Sequence, residues 1–289
     1  MYVHGDNLEQ KENHPSKYQD KESKRYLREI RKRYDAWRQD NIRLKGPIQI
    51  SSESDIALCQ MRTKLLNDYK DFLDQQHFAE KFDSRSNLHS SVLEEFMYYL
   101  FQDLVASIST DALIGKSHTF KDLFIRANSF RNMLDAPQIK IEKKDHDFAI
   151  GTRLEAQFQT KSSTEAQKEN WDIPAIAIEC KTYLDKTMLQ DASTAAEQLK
   201  HRNPEAMYVV VTEWLKLTES VNLRKFKIDQ IYVLRKQKNT DREYRYAATY
   251  QKNPIYSDVV YQLFDDVRKF LTEPWEGAIS HGLSKGVLL

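Results

Sequence analysis

The chain predicts an α/β (α+β) fold: a mixed central sheet flanked by helices, with a helical region ahead of it. Three stretches carry that expectation. Pro174 to Lys181 is apolar from Ala175 to Ile178 and closes on Glu179 and Lys181. A segment with small residues on its inner face follows, and then the β-branched run Ala206 to Thr212. Strand, helix and strand in that length form a right-handed βαβ crossover with parallel strands. Upstream, Gln138 to Ile150 reads as a further strand ending at Gly151.

Composition narrows the class. The chain has 289 residues, 30% charged and 40% hydrophobic, enough for one large domain or two small ones. No apolar run approaches the roughly 18 residues that span a bilayer, and the first residues, Met1 to Tyr18, are too polar for a secretory leader. Cys59 and Cys180 are the only cysteines, so no disulfide framework is expected and a reducing cytoplasm fits. A net charge of +1 neither demands nor excludes nucleic acid. Seven glycines without a Gly-rich loop argue against a nucleotide-phosphate cradle.

In chain order, residues 1 to about 20 show no periodicity and are expected to be a flexible arm. Tyr26, Leu27, Ile30, Tyr34 and Trp37 recur at helical spacing, which predicts a helix over 21–39. Around that stripe lie Arg25, Arg28 and Lys32, candidate phosphate contacts or a solvated basic face. Gly46-Pro47 breaks the chain. A second helix then follows, capped by Ser52, Ser54 or Asp55, with Ile56, Cys59, Leu65, Leu66, Tyr69, Phe72 and Leu73 inward. Residues 1–80 thus form an arm and helical region with possible DNA contacts, and residues 81–289 form the core domain.

Leu88, Val92, Glu95 and Tyr99 share a stripe of the next helix, which puts Glu95 on its apolar side and Glu94 about 100° away. Apolar residues between Phe120 and Phe130 lead to the strand 138–150, in which His146, Phe148 and Ile150 are expected on the buried face. Residues 152–170 are polar and read as a long loop or exposed hairpin, and Thr182 to Lys186 as a turn. The helix 187–201 presents Met188 or Leu189, then Ala192, Ala195, Ala196 and Leu199 inward. Ile228 to Leu234 is a strand, Tyr244 to Tyr250 a possible one, and a final amphipathic helix begins at Ser257 and ends before Pro274.

The chemistry centres on Glu179 and Lys181, which share a strand face with Ala177, while Ile176, Ile178 and Cys180 share the other. Glu9/Lys11, Glu22/Lys24 and Glu142/Lys144 have the same spacing but stand in polar segments. A surface ion pair is the ordinary reading of such a triplet. Glu179/Lys181 differs because an apolar strand presents it, and buried charges must pair, bind an ion or react. If the strand 138–150 pairs antiparallel with it, Asp147 joins the group, with Asp145 as the alternative. The carboxylates of Asp147 and Glu179 with the carbonyl of Cys180 make a hard oxygen site suited to Mg²⁺. Arg235, Lys236, Lys238 and Arg242, in a basic connection rich in amide and cationic side chains, are candidates for contacting DNA bases, the alternative being a solvated loop. The scattered histidines offer no zinc pattern, and no Gly-X-Ser-X-Gly turn occurs.

Asp147 followed by Glu179-Cys180-Lys181, with Glu95 (or Glu94) as a helix acid, resembles the PD-(D/E)XK nuclease superfamily over roughly residues 88 to 235, although His146 stands where Pro often precedes the Asp. Within it, the chain's size, its added N-terminal helices and the run Glu179 to Met188 look similar to type II restriction endonucleases of the small group cutting CCTNAGC-like sites, BbvCI among its relatives. The resemblance implies a restriction-endonuclease-like core and Mg²⁺-dependent cleavage of double-stranded DNA that leaves a 5′-phosphate. In that reading Asp147, Glu179, Lys181 and Glu95 are catalytic. It also implies an asymmetric target, with the chain acting as a homodimer or beside a non-identical subunit. A structure-specific repair or recombination nuclease and a non-catalytic DNA-binding protein on the same fold are the alternatives.

Overall fold

The computed structural model describes residues 2–48, 53–82, 87–161, 165–238, 249–275 and 283. Five strands form one sheet in the order β1-β2-β3-β4-β5: β1 (Leu113–Arg126), β2 (Gln138–Phe158), β3 (Gln167–Leu184), β4 (Met207–Leu215) and β5 (Gln230–Val233). The pairings β1–β2 and β2–β3 are antiparallel, while β3–β4 and β4–β5 are parallel, so the sheet is mixed. The crossover from β3 to β4 is α7 (Lys186–Arg202), started by Asp185, whose carboxylate accepts from the Met188 N–H at 2.9 Å.

Strand alternation splits the core in two. Ile176, Ile178, Cys180, Val209 and Val211 join the larger cluster. Ala177, Tyr208 and Val210 pack with the small face of α7, Ala192, Ala195 and Ala196. The larger cluster also takes in α1 (Val3–Glu12), α2 (Lys21–Arg43), α3 (Glu53–Leu73), α5 (Ser91–Ile108) and α8 (Ser257–Thr272), with Leu8, Ile30, Leu66, Leu100 and Leu263 all fully buried. Short helices α4 (Gln76–Lys81) and α6 (Phe130–Asp135) complete the described helices of this kind. No described helix is long and apolar enough to cross a membrane.

The structure corrects three local expectations. Residues 3–12 are helical, not a flexible arm, and His4 and Leu8 are buried. Gly5 lets α1 approach so closely that a Cβ there would overlap the Tyr34 hydroxyl. Ile56 is 40% exposed, and Asp55 takes the inward position, accepting from the Ile48 N–H at 3.3 Å. Residues 182–184 continue β3, with Tyr183 opposite Trp214, so the turn begins only at Asp185. Of the two readings of residues 152–170, the hairpin holds: residues 152–158 and 167–172 form the outer rungs of β2–β3, with Leu154 opposite Trp171. The possible strand at Tyr244 to Tyr250 lies almost wholly outside the described residues, as does Arg242.

Candidate active site

Asp147 sits at a break in the ladder. From Gly115 to Ser117 β1 advances two residues while β2, from Ala149 to His146, advances three. That extra residue is a β-bulge, which reverses the side-chain alternation beyond it. Phe148 therefore packs on Phe101 of α5, ring centroids 6.0 Å apart, while His146 lies edge-on to Tyr208 at 5.7 Å, on the α7 side. The expectation that His146 and Phe148 share a face is corrected by this bulge. Burial first, then Lys144, lowers the His146 imidazole to about 4, so it packs as a neutral ring.

β2–β3 pairing runs from the hairpin to Phe148 opposite Ile178. Beyond that rung a side chain takes over the role of backbone: the Cys180 N–H donates to Asp147 Oδ2 at 2.9 Å. Lys181 Nζ lies 3.3 Å from the same oxygen and 2.5 Å from Glu179 Oε1. The second Glu179 oxygen, Oε2, accepts from the Tyr208 hydroxyl at 3.3 Å. Asp147, Glu179 and Lys181 keep 28%, 20% and 27% of their side-chain surface exposed, so the group is sheltered yet open to a ligand.

The three face a cleft of about 850 Å³ that is also lined by Glu94, Lys121, Lys144, Asp191 and Gln198. Burial raises the Asp147 carboxyl, and Glu179 raises it further, against the pull of Lys181. Burial alone would lower the Lys181 ammonium, but Asp147 and then Glu179 outweigh it and hold it above the ordinary lysine value. Glu94 is pushed up to about 7, by burial and then by the Asp147 charge. Asp147 and Glu179 therefore share the Lys181 ammonium with Glu94 close by, a cluster of carboxylates suited to a cation.

The donor chemistry fits a hard divalent ion. Among the described residues no three His, Cys, Asp or Glu side chains already converge as a closed metal cage. Mg²⁺ does not ask for one, since it keeps several waters and takes only one or two carboxylates plus substrate phosphate oxygens. The Cys180 side chain is no part of this: it is buried in the larger core cluster, and burial, then Asp147, raises its thiol well above the ordinary value.

Glu95, expected in the site, is not there. Its carboxylate is fully buried on the α1–α2 side of α5, where Oε2 accepts from the His4 and Gly5 N–H groups at 2.9 and 3.2 Å. Oε1 accepts from the Tyr34 and Tyr99 hydroxyls at 3.0 and 2.6 Å. The apolar stripe that marked Glu95 as inward is correct, but inward on α5 means toward the N-terminal helices. Glu94 is the acid that reaches the cleft. Asp145 is exposed and pairs with His118 Nδ1 at 2.7 Å.

Arg235, expected on DNA, is also corrected: it is fully buried, its Nη2 3.0 Å from Glu213 and its guanidinium over the Trp214 ring. It belongs to an internal charge network with Lys70, Asp74 and Glu213, in which Lys70 lies 2.8 Å from Glu213. Lys236 is at the surface, 2.5 Å from Asp258, and Lys238 pairs with Glu219. Arg25, Arg28 and Lys32 are exposed on α2 and do not line the cleft. Sequence reasoning missed Tyr208, although a hydroxyl in the apolar first half of the strand, two rungs from the Glu179 register, was a usable signal.

A mixed sheet with a crossover helix behind it, and two carboxylates and a lysine gathered where one strand leaves its neighbour, define a restriction-endonuclease-like nuclease. A model of the Bpu10I restriction endonuclease family matches residues 85–287. The chain belongs to that family of type II site-specific deoxyribonucleases. Among solved structures, the native BbvCI A2B2 tetramer superposes with a TM-score of 0.67, at 20% identity over 93% of this chain and 94% of that one, a likeness of fold. No curated protein matches.

Proposed function

We propose that this restriction endonuclease hydrolyses phosphodiester bonds of double-stranded DNA with Mg²⁺ at the cleft of Asp147, Glu179 and Lys181, leaving 5′-phosphate ends. The observation that carries this reading is the convergence of those three side chains where Asp147 replaces the β2 backbone as acceptor for the Cys180 N–H.

Asp147 and Glu179, with the Cys180 carbonyl, would hold the ion, which when bound supplies charge neutralisation at the phosphate and a lower pKa for coordinated water. Lys181 is held charged and aimed by both carboxylates, and its third proton would orient the attacking water or a phosphate oxygen. Water bonds to phosphorus as the bond to the 3′ oxygen breaks, and that oxygen leaves as a hydroxyl. Glu94 supplies a further carboxyl at the cleft wall. Lys121 and Lys144, on the β1–β2 side of the cleft, would meet the DNA backbone.

In this reading residues 81–289 form the nuclease core, and residues 1–80 add a basic helix whose Arg25, Arg28 and Lys32 contact phosphates away from the cleft. Lys236, Lys238 and Arg242 remain candidates for the DNA interface. The neighbour of the same fold is an A2B2 tetramer, which supports assembly of this chain with a second subunit, identical or not. Incubating the purified chain with Mg²⁺ and a long defined DNA tests the proposal: discrete fragments, or nicks at fixed positions, support it. A smear would overturn the sequence-specific reading, and unchanged DNA in the presence of every candidate subunit would overturn the catalytic one.

A further inference from the structure

Tyr208 is fully buried on β4, two rungs before the position opposite Glu179, with its hydroxyl 3.3 Å from Glu179 Oε2. Its position is fixed from several sides. The Asp229 carboxylate accepts from its N–H at 2.7 Å, and its carbonyl accepts from the Asp229 N–H at 2.9 Å. His146 lies against its ring, and Ala177 and α7 pack around it. A buried tyrosine hydroxyl needs a partner, and here the partner is the oxygen of Glu179 that Lys181 does not hold.

With Lys181 on Oε1 and Tyr208 on Oε2, the Glu179 carboxylate has donors at both ends, which restricts rotation about its terminal bond. Glutamate is otherwise free there, since that torsion is broad. We infer that Tyr208 is a positioning residue for Glu179, holding the carboxylate plane so that its remaining lone pairs face the cleft and a divalent ion. This rests on the reading of Glu179 as an ion ligand. Tyr208 is not among the residues that line the cleft, and its hydroxyl reaches the cleft only through Glu179. Such a donor, aimed at a charged acceptor before the ion arrives, spares the site the ordering of that side chain on binding.

The test uses Tyr208→Phe in the full chain within its active assembly, which keeps the ring and removes the hydroxyl. Calcium binding to the protein–DNA complex is measured calorimetrically, beside the Mg²⁺ midpoint for cleavage and DNA affinity without metal. Ion affinity is expected to weaken about tenfold, the midpoint to rise to match, and metal-free DNA affinity to stay unchanged. Unchanged ion affinity and midpoint would overturn the inference. Where the variant is destabilised, the double variant with Glu179→Gln decides: a positioning role makes the Tyr208 effect on ion affinity vanish in that background, and a full additive loss refutes it. Glu179→Ala run in parallel separates the two readings. If it cleaves normally the site reading fails, whereas an inert Glu179→Ala beside an unaltered Tyr208→Phe sinks only the role of Tyr208.

Discussion

Glu94 and Glu95 are consecutive residues of α5 that serve different sides of it: Glu94 faces the cleft with Asp147, and Glu95 anchors the first turn of α1 through the His4 and Gly5 N–H groups. A step of one residue along the helix turns the side chain by about 100°, and that angle divides function from stability. Glu95→Ala leaves two backbone and two tyrosine donors without their acceptor. It is expected to cost about 3–5 kcal/mol, seen as a lowered denaturant midpoint. Glu94→Ala is expected to impair cleavage while moving stability by less than about 1 kcal/mol. Reversed effects, measured by chemical unfolding and cleavage rate, would reject this division.

The basic residues divide in the same way. Arg25, Arg28 and Lys32 are exposed on α2, and each changed to Ala is expected to weaken DNA binding at all sequences and to lower the slope of log affinity against log salt by about 1. Arg235→Ala instead strips one of the two cationic partners from buried Glu213, leaving Lys70, and is expected to unfold the protein at lower denaturant. Binding isotherms at several salt concentrations, beside unfolding curves, measure both. Arg235→Ala that folds normally but loses DNA affinity would restore Arg235 to the interface.

Lys11 gives a pH-dependent prediction. It is 6% exposed in α1 and donates to Asn7 at 2.6 Å, and burial lowers its ammonium from 10.5 to about 8. Between pH 8 and 10.5 the unfolded chain holds this proton and the folded chain does not, so native stability from this group rises with pH across that window. Below pH 8 the burial cost is fully present. Lys11→Met is therefore expected to stabilise the fold at pH 7 by about 1–3 kcal/mol, with the gain shrinking as pH climbs above 8. Unfolding curves at pH 7 and 10 check it, and a gain that grows with pH would contradict the assignment.

What the sequence revealed was whatever repeats with a period. The alternation of Ile176, Ala177 and Ile178, the small face of α7 and the β-branched β4 are each local patterns, and together they place Glu179 and Lys181 on one face. Single-residue events left no such trace. The bulge beside Asp147 is one extra residue in β2, and it alone sends His146 and Phe148 to opposite layers. β1 was not recognised because its outer half, Leu123 to Ile125, is exposed and does not alternate like a half-buried strand. Arg235 read as a surface cation, a candidate for DNA, because the acids that neutralise it, Asp74 and Glu213, come from α3's end and β4. Likewise α1 holds to the core through a carboxylate ninety residues away, a contact no window along the chain contains.

The most direct test of the central claim is plasmid cleavage with Mg²⁺ by the active assembly carrying Glu179→Ala or Lys181→Ala, compared with the unaltered chain at equal DNA occupancy. Both variants are expected to bind the plasmid as the parent does and to lose the cut this chain makes, by about a thousandfold or more. Retention of that cut in either variant would contradict the assignment of the cleft as the catalytic centre.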